Sequence, residues 1–291
     1  MKKKISFFYI IMACGLWGTS GIFVYFMAPL GFSSLHMTFI RAIVAAVFLG
    51  LYILISNPKL FITRIPDLIL YLGCGTTFFA TASSYFFAMQ ATSISTAVML
   101  MYTAPVYVII YSVIFLGEKL TKVKLVSIIT MLIGCGLVSG IIGGFRFDLK
   151  GILFGFLSGI AYSLYNIFTK IGTRRKCNPL SSTFYCFLFA SVIGVICCKP
   201  DALVSVLAAH SVKAIPWSVG LGVFTCILPY FLYTLSLKHL PVGTASALSI
   251  LEPAAATLFS VVLFSEPLDS FSICGIILIL ASVFFISRTN E

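Results

Sequence analysis

Charge is what this sequence lacks. Only 9% of its 291 residues are Asp, Glu, Lys or Arg, while 60% are hydrophobic. A soluble domain is roughly a quarter charged. So few charges cannot cover a water-facing surface, which excludes an ordinary soluble enzyme, and so much apolar residue excludes a disordered chain. Acids are scarcer still, eight against nineteen Lys and Arg, for a net charge of +11. The basic residues are scattered, with no aromatic-interleaved stripe, which argues against a nucleic-acid partner. His36, His210 and His239 lie far apart and the nine cysteines form no CxxC spacing, so no metal framework is visible. Most of the cysteines sit in apolar runs and read as small buried hydrophobes, the adjacent Cys197 and Cys198 included. There is no GxSxG, no HExxH, no phosphate-binding loop and no pair of intramembrane acids. The chain therefore reads as no enzyme, with no cofactor and no metal. What remains is a protein whose solvent is largely lipid.

A membrane-spanning helix needs about 20 mostly apolar residues. Ten such segments are predicted, near 5–26, 33–55, 66–88, 93–116, 122–142, 149–170, 178–198, 214–237, 241–265 and 269–287. Little chain is left over for a soluble or nucleotide-binding domain, and the longest connections are Ser56–Ile65 and Lys199–Lys213. Lys2, Lys3 and Lys4 precede the first segment in the manner of a signal peptide, but its apolar run continues to Phe26, too long for a cleaved leader. If the N-terminus is cytoplasmic, fourteen Lys and Arg fall on the cytoplasmic side: Lys2, Lys3, Lys4, Lys59, Arg64, Lys119, Lys122, Lys124, Lys170, Arg174, Arg175, Lys176, Lys238 and Arg288. Four fall outside: Arg146, Lys150, Lys199 and Lys213. That bias predicts both termini inside.

Shifted by 148, residues 94–121 align with 242–269 at eight identical positions of 28. The matches include Pro105 with Pro253 and Glu118 with Glu266, residue types that are rare in membrane helices. The same shift pairs Thr77 with Thr225 and Tyr85 with Tyr233. Five predicted spans precede the junction and five follow it. Five is odd, so the second half enters the membrane from the opposite side, the inverted-repeat plan of many secondary transporters, whose substrate sites lie near the midplane.

Two charges lie deep in spans, Arg41 and Glu252. A charge at a helix centre costs about 2.5–3.5 kcal/mol on insertion scales, so such residues face the interior or a watery cavity and tend to be paired. They read as substrate counter-charge, as a protonation switch, or as an interior salt bridge. Pro105, Pro229 and Pro253 each remove a backbone donor, which predicts freed carbonyls at Met101, Thr225 and Ser249 and a kink or gate at each break. Helical spacing puts Ser158, Tyr162, Tyr165, Asn166 and Thr169 on one stripe of the sixth span. It puts Ser246, Ser249, Glu252, Pro253, Thr257 and Ser260 on one sector of the ninth, and Thr225, Pro229, Tyr233 and Ser236 on one of the eighth. Polar stripes in lipid face the bundle interior, as a cavity lining or as interhelical hydrogen bonds. The predicted cavity residues are Trp17, Arg41, Tyr102, Tyr162, Tyr165, Asn166, Tyr233, Ser249 and Glu252. Gly151, Gly155 and Gly159 predict a close helix approach. Trp17 lies mid-span, so its indole needs an internal partner or a cavity, whereas Trp217 reads as an interfacial anchor. Glu118 and Glu266 close their spans, where a carboxylate can stay hydrated; they read as helix boundaries or as gate residues.

Trp17-Gly18, Arg41-Ala42, Gly117-Glu118-Lys119-Leu120 and the stretch Tyr233–Leu268 with its Glu252-Pro253 resemble the EamA family of the drug/metabolite transporter superfamily. The resemblance covers nearly the whole chain and is most specific in the fourth and ninth spans. It implies an all-α integral membrane protein of ten transmembrane helices in two inverted five-helix repeats, here 1–142 and 143–291, around a central cavity with alternating access. Similar members move amino acids and other small metabolites, often outward, through the bacterial inner membrane. Pro105, Glu118, Glu252, Pro253 and Glu266 match the paired motif positions. Glu252 has Ala104 as its partner, so the second repeat alone carries the intramembrane acid. The expected partners are a small-molecule substrate, the lipid bilayer, and protons or a counter-substrate, with monomer and homodimer both open. A membrane-embedded binding or sensor protein of the same fold is the alternative. No deep-span Lys pair suits a phosphorylated sugar.

Overall fold

The computed structural model describes residues 2–92, 94–138, 148–198, 200–265 and 269–288. Among them there is helix and no strand. Its helices are α1 (Lys2–Gly18), α2 (Ser20–Met27), α3 (Ser34–Ser56), α4 (Ile65–Ala91), α5 (Ile94–Met101), α6 (Ala104–Leu116), α7 (Lys122–Val138) and α8 (Leu149–Arg174). Then come α9 (Pro179–Cys197), α10 (Pro200–Ala209), α11 (Ser211–Gly222), α12 (Leu228–Ser236), α13 (Val242–Leu248), α14 (Leu251–Phe264) and α15 (Ser270–Arg288).

Eight helical stretches are long and apolar enough to cross a membrane: Lys3–Leu30, Ser34–Ser56, Ile65–Ala91, Thr96–Leu116, Leu149–Arg174, Pro179–Cys197, Ser211–Ser236 and Val242–Phe264. The remaining two predicted spans are represented by α7, with 17 described residues, and by α15. The predicted end at 142 lies outside the described residues. The polarity is inverted relative to a soluble fold. Phe8, Ile55, Ile114, Phe115, Val126, Ile196 and Phe285 are exposed, while Ser158, Asn166, Thr225, Ser246 and Ser249 are buried. The protein is a multi-pass membrane protein, with hydrocarbon supplying the outer contacts.

Three features depart from uninterrupted spans. The fourth is split after Met101 and the ninth after Leu248, at positions that correspond under the shift of 148. Each break lies just before its proline, whose missing N–H and bulky ring make it the weakest point of the ladder. The eighth carries a π-turn at Val223–Ile227, one turn ahead of Pro229. Its wider i→i+5 spacing shifts the hydrogen-bond pattern just ahead of the proline. The connection predicted at Lys199–Lys213 is not loop throughout, because α10 occupies Pro200–Ala209.

Helix contacts come in twos that exchange under the same shift. α4 packs on α8 as α12 packs on α1, and α4 on α9 as α11 on α3. α7 packs on α15 and α3 on α9, each a pair of counterparts. At the α7–α15 crossing, Gly134 and Gly275 face each other. A Cβ on either would come within 3 Å of the other's carbonyl oxygen, so only glycine permits this approach. Gly151, Gly155 and Gly159 likewise press α8 against Ala91, Thr92 and the Leu100–Thr103 break. One relation fails. α13 packs on α6, but among the described residues the corresponding halves α5 and α14 make at most marginal contact.

Both broken spans end on a left-handed residue, Gly117 after α6 (φ 67°) and Ser265 after α14 (φ 55°). Glycine adopts this conformation freely, whereas a Cβ is crowded there by about 1–2 kcal/mol. Ser265→Gly is expected to raise stability by about 1 kcal/mol and Gly117→Val to lower it by at least as much. The midpoint of thermal unfolding in detergent reads both.

Candidate functional site

The interior polar groups gather around the break in the ninth span. Glu252 stands two residues into α14 and is half-buried. The Tyr102 hydroxyl, from the equivalent break in the fourth span, faces it as a hydrogen-bond partner. Tyr85 of α4, Tyr162 of α8, Tyr230 of α12 and Arg41 of α3 all interact electrostatically with the carboxylate. These neighbours come from separate helices, which Glu252 therefore links electrostatically.

Ser249 sits in the break itself. Its Oγ donates to the Ser246 carbonyl at 2.6 Å, and Tyr162 lies within hydrogen-bonding reach of it. The carbonyl of Ser249, expected to be freed by Pro253, is instead taken up by the Glu252 N–H at 3.0 Å. A tight i→i−3 bond thus re-satisfies the ladder where the proline interrupts it. Pro105 has a similar setting: the Thr103 N–H reaches the Leu100 carbonyl at 3.2 Å, and the Val106 N–H reaches Thr103 at 2.9 Å.

A buried chain of side chains ties the break to its neighbours. The Tyr233 hydroxyl donates to Asn166 Oδ1 at 2.6 Å, and Asn166 Nδ2 donates to Ser246 Oγ at 3.3 Å. These three residues come from α12, α8 and α13. All are fully buried, so each bond replaces water that the membrane interior cannot supply.

An aromatic cage adjoins this network. Tyr230 is its hub, meeting Trp17, Phe78, Tyr165 and Phe187 edge-on, with ring centroids 5.1–5.4 Å apart. Trp17 also leans on Tyr233 at 5.6 Å. Arg41 reaches the cage from α3, its guanidinium carbon 5.0 Å from the centre of Phe78. A cation over an aromatic face is stabilised by the ring quadrupole, which offsets part of its desolvation. Two donors here have no hydrogen-bond partner among the described residues, Trp17 Nε1 and Arg41 Nε. Trp17 is 5% exposed, so its indole N–H is buried in the interior with no acceptor among the described residues.

The sequence-predicted residues therefore divide. Tyr102, Tyr162, Ser249 and Glu252 form one cluster, and Trp17, Asn166 and Tyr233 abut it. Arg41 joins through Phe78 and the field of Glu252. Tyr165 belongs to the cage, but its hydroxyl faces Thr169, beside a small cavity lined also by Cys74 and Cys186. That cavity is about 10 Å³ to the centre of a water-sized sphere, room for about one water. Sequence reasoning missed Tyr230, Phe78 and Phe187, since an aromatic in an apolar run looks the same whether it faces lipid or the interior. Trp217 is more than an interfacial anchor, for it stacks on Phe26 with centroids 4.4 Å apart.

Glu118 corrects an expectation. It is not a hydrated helix end, since its side chain is only 9% exposed and lies 3.5 Å from Lys124 Nζ. Glu266 lies outside the described residues.

The sequence pattern of the EamA-like transporter family matches residues 4–140 and again residues 149–288. The chain belongs to that family. EamA proteins form part of the drug/metabolite transporter superfamily. An uncharacterized transporter of Archaeoglobus fulgidus is 31% identical over 94% of this chain and 93% of its own length. The uncharacterized transporter YxxF of Bacillus subtilis is 25% identical over 97% of this chain and 89% of its own. A crystal structure with 16% identity superposes with a TM-score of 0.80, over 96% of this chain and 95% of that one, and shares its fold.

In this EamA chain the Tyr233–Asn166 bond ties α12 to α8. Tyr233→Phe keeps the ring and removes the bond, leaving Asn166 Oδ1 unsatisfied. It is expected to lower stability by about 1–2 kcal/mol. An unchanged unfolding midpoint would show that the bond contributes nothing.

Proposed function

We propose that this EamA protein is a secondary transporter of small zwitterionic metabolites, with amino acids the leading class. The observation that carries this reading is the placing of Arg41 and Glu252, opposite charges from different helices, within electrostatic range of each other beside the broken ninth span. A site with one cation and one anion is near neutral overall, and it complements a molecule that carries both charges. Unpartnered donors at Arg41 Nε and Trp17 Nε1 suit a carboxylate, Glu252 suits an ammonium, and the Tyr230 cage suits the apolar part of the molecule.

The architecture supporting this reading is ten membrane-crossing helices in two inverted five-helix repeats, 1–142 and 143–291. The paired helix contacts, the coincident breaks and the twofold match of the family pattern all support it. In such a plan, rocking one repeat against the other exposes the central site to each side in turn. Pro105, Pro229 and Pro253 mark the breaks about which the halves bend. The Lys and Arg bias supports a cytoplasmic place for the end bearing Lys119, Lys170, Arg174 and Lys238 and for both termini, and the family resemblance supports the inner membrane of a bacterium. Export is the proposed direction, as the family resemblance implies, driven by protons through Glu252 or by exchange with a counter-substrate.

Glu252→Gln keeps the shape of the side chain and removes its charge. It is expected to fold, to elute and melt like wild type, and to bring counterflow of a transported amino acid in proteoliposomes to the background of protein-free vesicles. Wild-type flux with wild-type pH dependence in this variant removes Glu252 from the mechanism.

A further inference from the structure

Glu118 lies just past the left-handed turn at Gly117, where its own N–H returns to the Ser112 carbonyl at 3.1 Å. That turn aims the carboxylate across the bundle at the start of the Val242–Phe264 span. Oε1 accepts the Val242 N–H at 2.9 Å and Oε2 accepts the Gly243 N–H at 3.4 Å. Lys124, 3% exposed, neutralises the carboxylate from α7. Gly243 makes the fit close: a Cβ there would stand 3.0 Å from Ile109 Cγ1 and 3.2 Å from Lys124 Nζ, and those side chains would have to give way.

Two further cations fasten the same end. Lys170 Nζ donates to the Leu237 and Leu240 carbonyls at 2.9 and 2.7 Å, just ahead of Val242. Arg174 donates to the Leu116 carbonyl at 3.0 Å, just ahead of Glu118. The α8 end thus grips both chains that Glu118 joins. This is also the end where α6 packs on α13, whereas α5 and α14 at the other end barely meet.

We propose that Glu118 is the positioning residue of a gate, a carboxylate latch that holds the two halves closed at this end while the Glu252 site communicates with the other. The latch joins parts of the chain more than 120 residues apart in sequence, with bonds to an ionised group, which are the strong ones. Its donors are main-chain N–H groups fixed to the helix start, so withdrawal of that helix breaks both bonds together. Opening this end separates Val242 and Gly243 from Glu118. Water then replaces the carboxylate at the N–H groups and hydrates Lys124. This inference rests on the alternating-access reading above.

The test uses distances between spin labels on the full-length protein in proteoliposomes, with Cys177, Cys197 and Cys274 replaced. One pair, at Lys122 and His239, spans the latched end. A second, at Gln90 and Ser270, spans the opposite end. All four positions are exposed. Glu118→Gln breaks the latch, and Glu118→Gln with Lys124→Met breaks it without leaving a buried unpaired charge. Glu118→Asp keeps the charge but draws it back by one methylene. In the first two the ratio of longer to shorter distances at the latched end is expected to rise about tenfold or more, the scale of losing bonds to a charged group. The opposite pair is expected to shorten, which mere loosening of the fold does not produce. Glu118→Asp is expected to fall between these and wild type. The proposal is overturned if every variant that folds keeps the wild-type distances at both ends, or if both ends simply broaden. The distances need no substrate. Shifted distances with no counterflow in wild type leave the latch and remove transport, while counterflow with unmoved distances removes the latch and leaves transport.

Discussion

A bilayer interior offers no hydrogen-bond partner, and nearly every feature of this protein follows from that. Backbone N–H and C=O groups must be satisfied within the chain, so the described residues are helical and the helices are long. Polar side chains must turn inward and find one another, as Tyr233, Asn166 and Ser246 do across three helices. Where proline breaks the ladder, the freed group is recaptured locally. The Glu252 N–H takes the Ser249 carbonyl, and a π-turn precedes Pro229. The tolerated irregularities lie where helices face one another, and there the charges are found.

Arg41 and Glu252 are stabilised by different means. Arg41 lies against the face of Phe78, while Glu252 has the Tyr102 hydroxyl and a ring of tyrosines. Neither is fully sealed, for both remain half-buried. A purely structural pair would be expected to close on itself and exclude water. Here the two charges act on each other through an interior that also holds the unpartnered indole of Trp17. The same economy of charge governs the basic end. Lys124, Lys170 and Arg174 are each turned onto a carboxylate or carbonyls of another helix. The residues that mark topology in the sequence also fasten that end of the bundle.

Much of the fold was legible because hydropathy and period are strong signals. Predicted spans and described helices coincide to within a few residues for most of the chain. The shift of 148 anticipated breaks at matching places in the fourth and ninth spans. The polar stripe of the sixth span is buried as its spacing required, Ser158, Tyr162, Tyr165, Asn166 and Thr169 together. What was not legible depends on contacts remote in sequence. Nothing near Glu118 says that its partners are Val242 and Gly243, and hydration was the natural expectation for an acid at a span end. Tyr230 sits in an apolar run, and its position as hub depends on rings from four other helices. The strained Ser265 shows only once its counterpart Gly117 is seen in the same conformation. α10 lies in a segment that reads, from its length, as one of the two longest connections between spans.

The central claim is that the Arg41–Glu252 interior is a passage for zwitterions, and counterflow by the wild-type protein tests it most directly. Proteoliposomes loaded with unlabelled amino acids are challenged with labelled ones outside, alongside acidic, basic and phosphorylated metabolites of similar size. The account predicts transient accumulation of at least one zwitterionic amino acid above protein-free vesicles, and little of the molecules with net charge. Accumulation confined to a phosphorylated or strongly charged metabolite, or none for any amino acid, would contradict it.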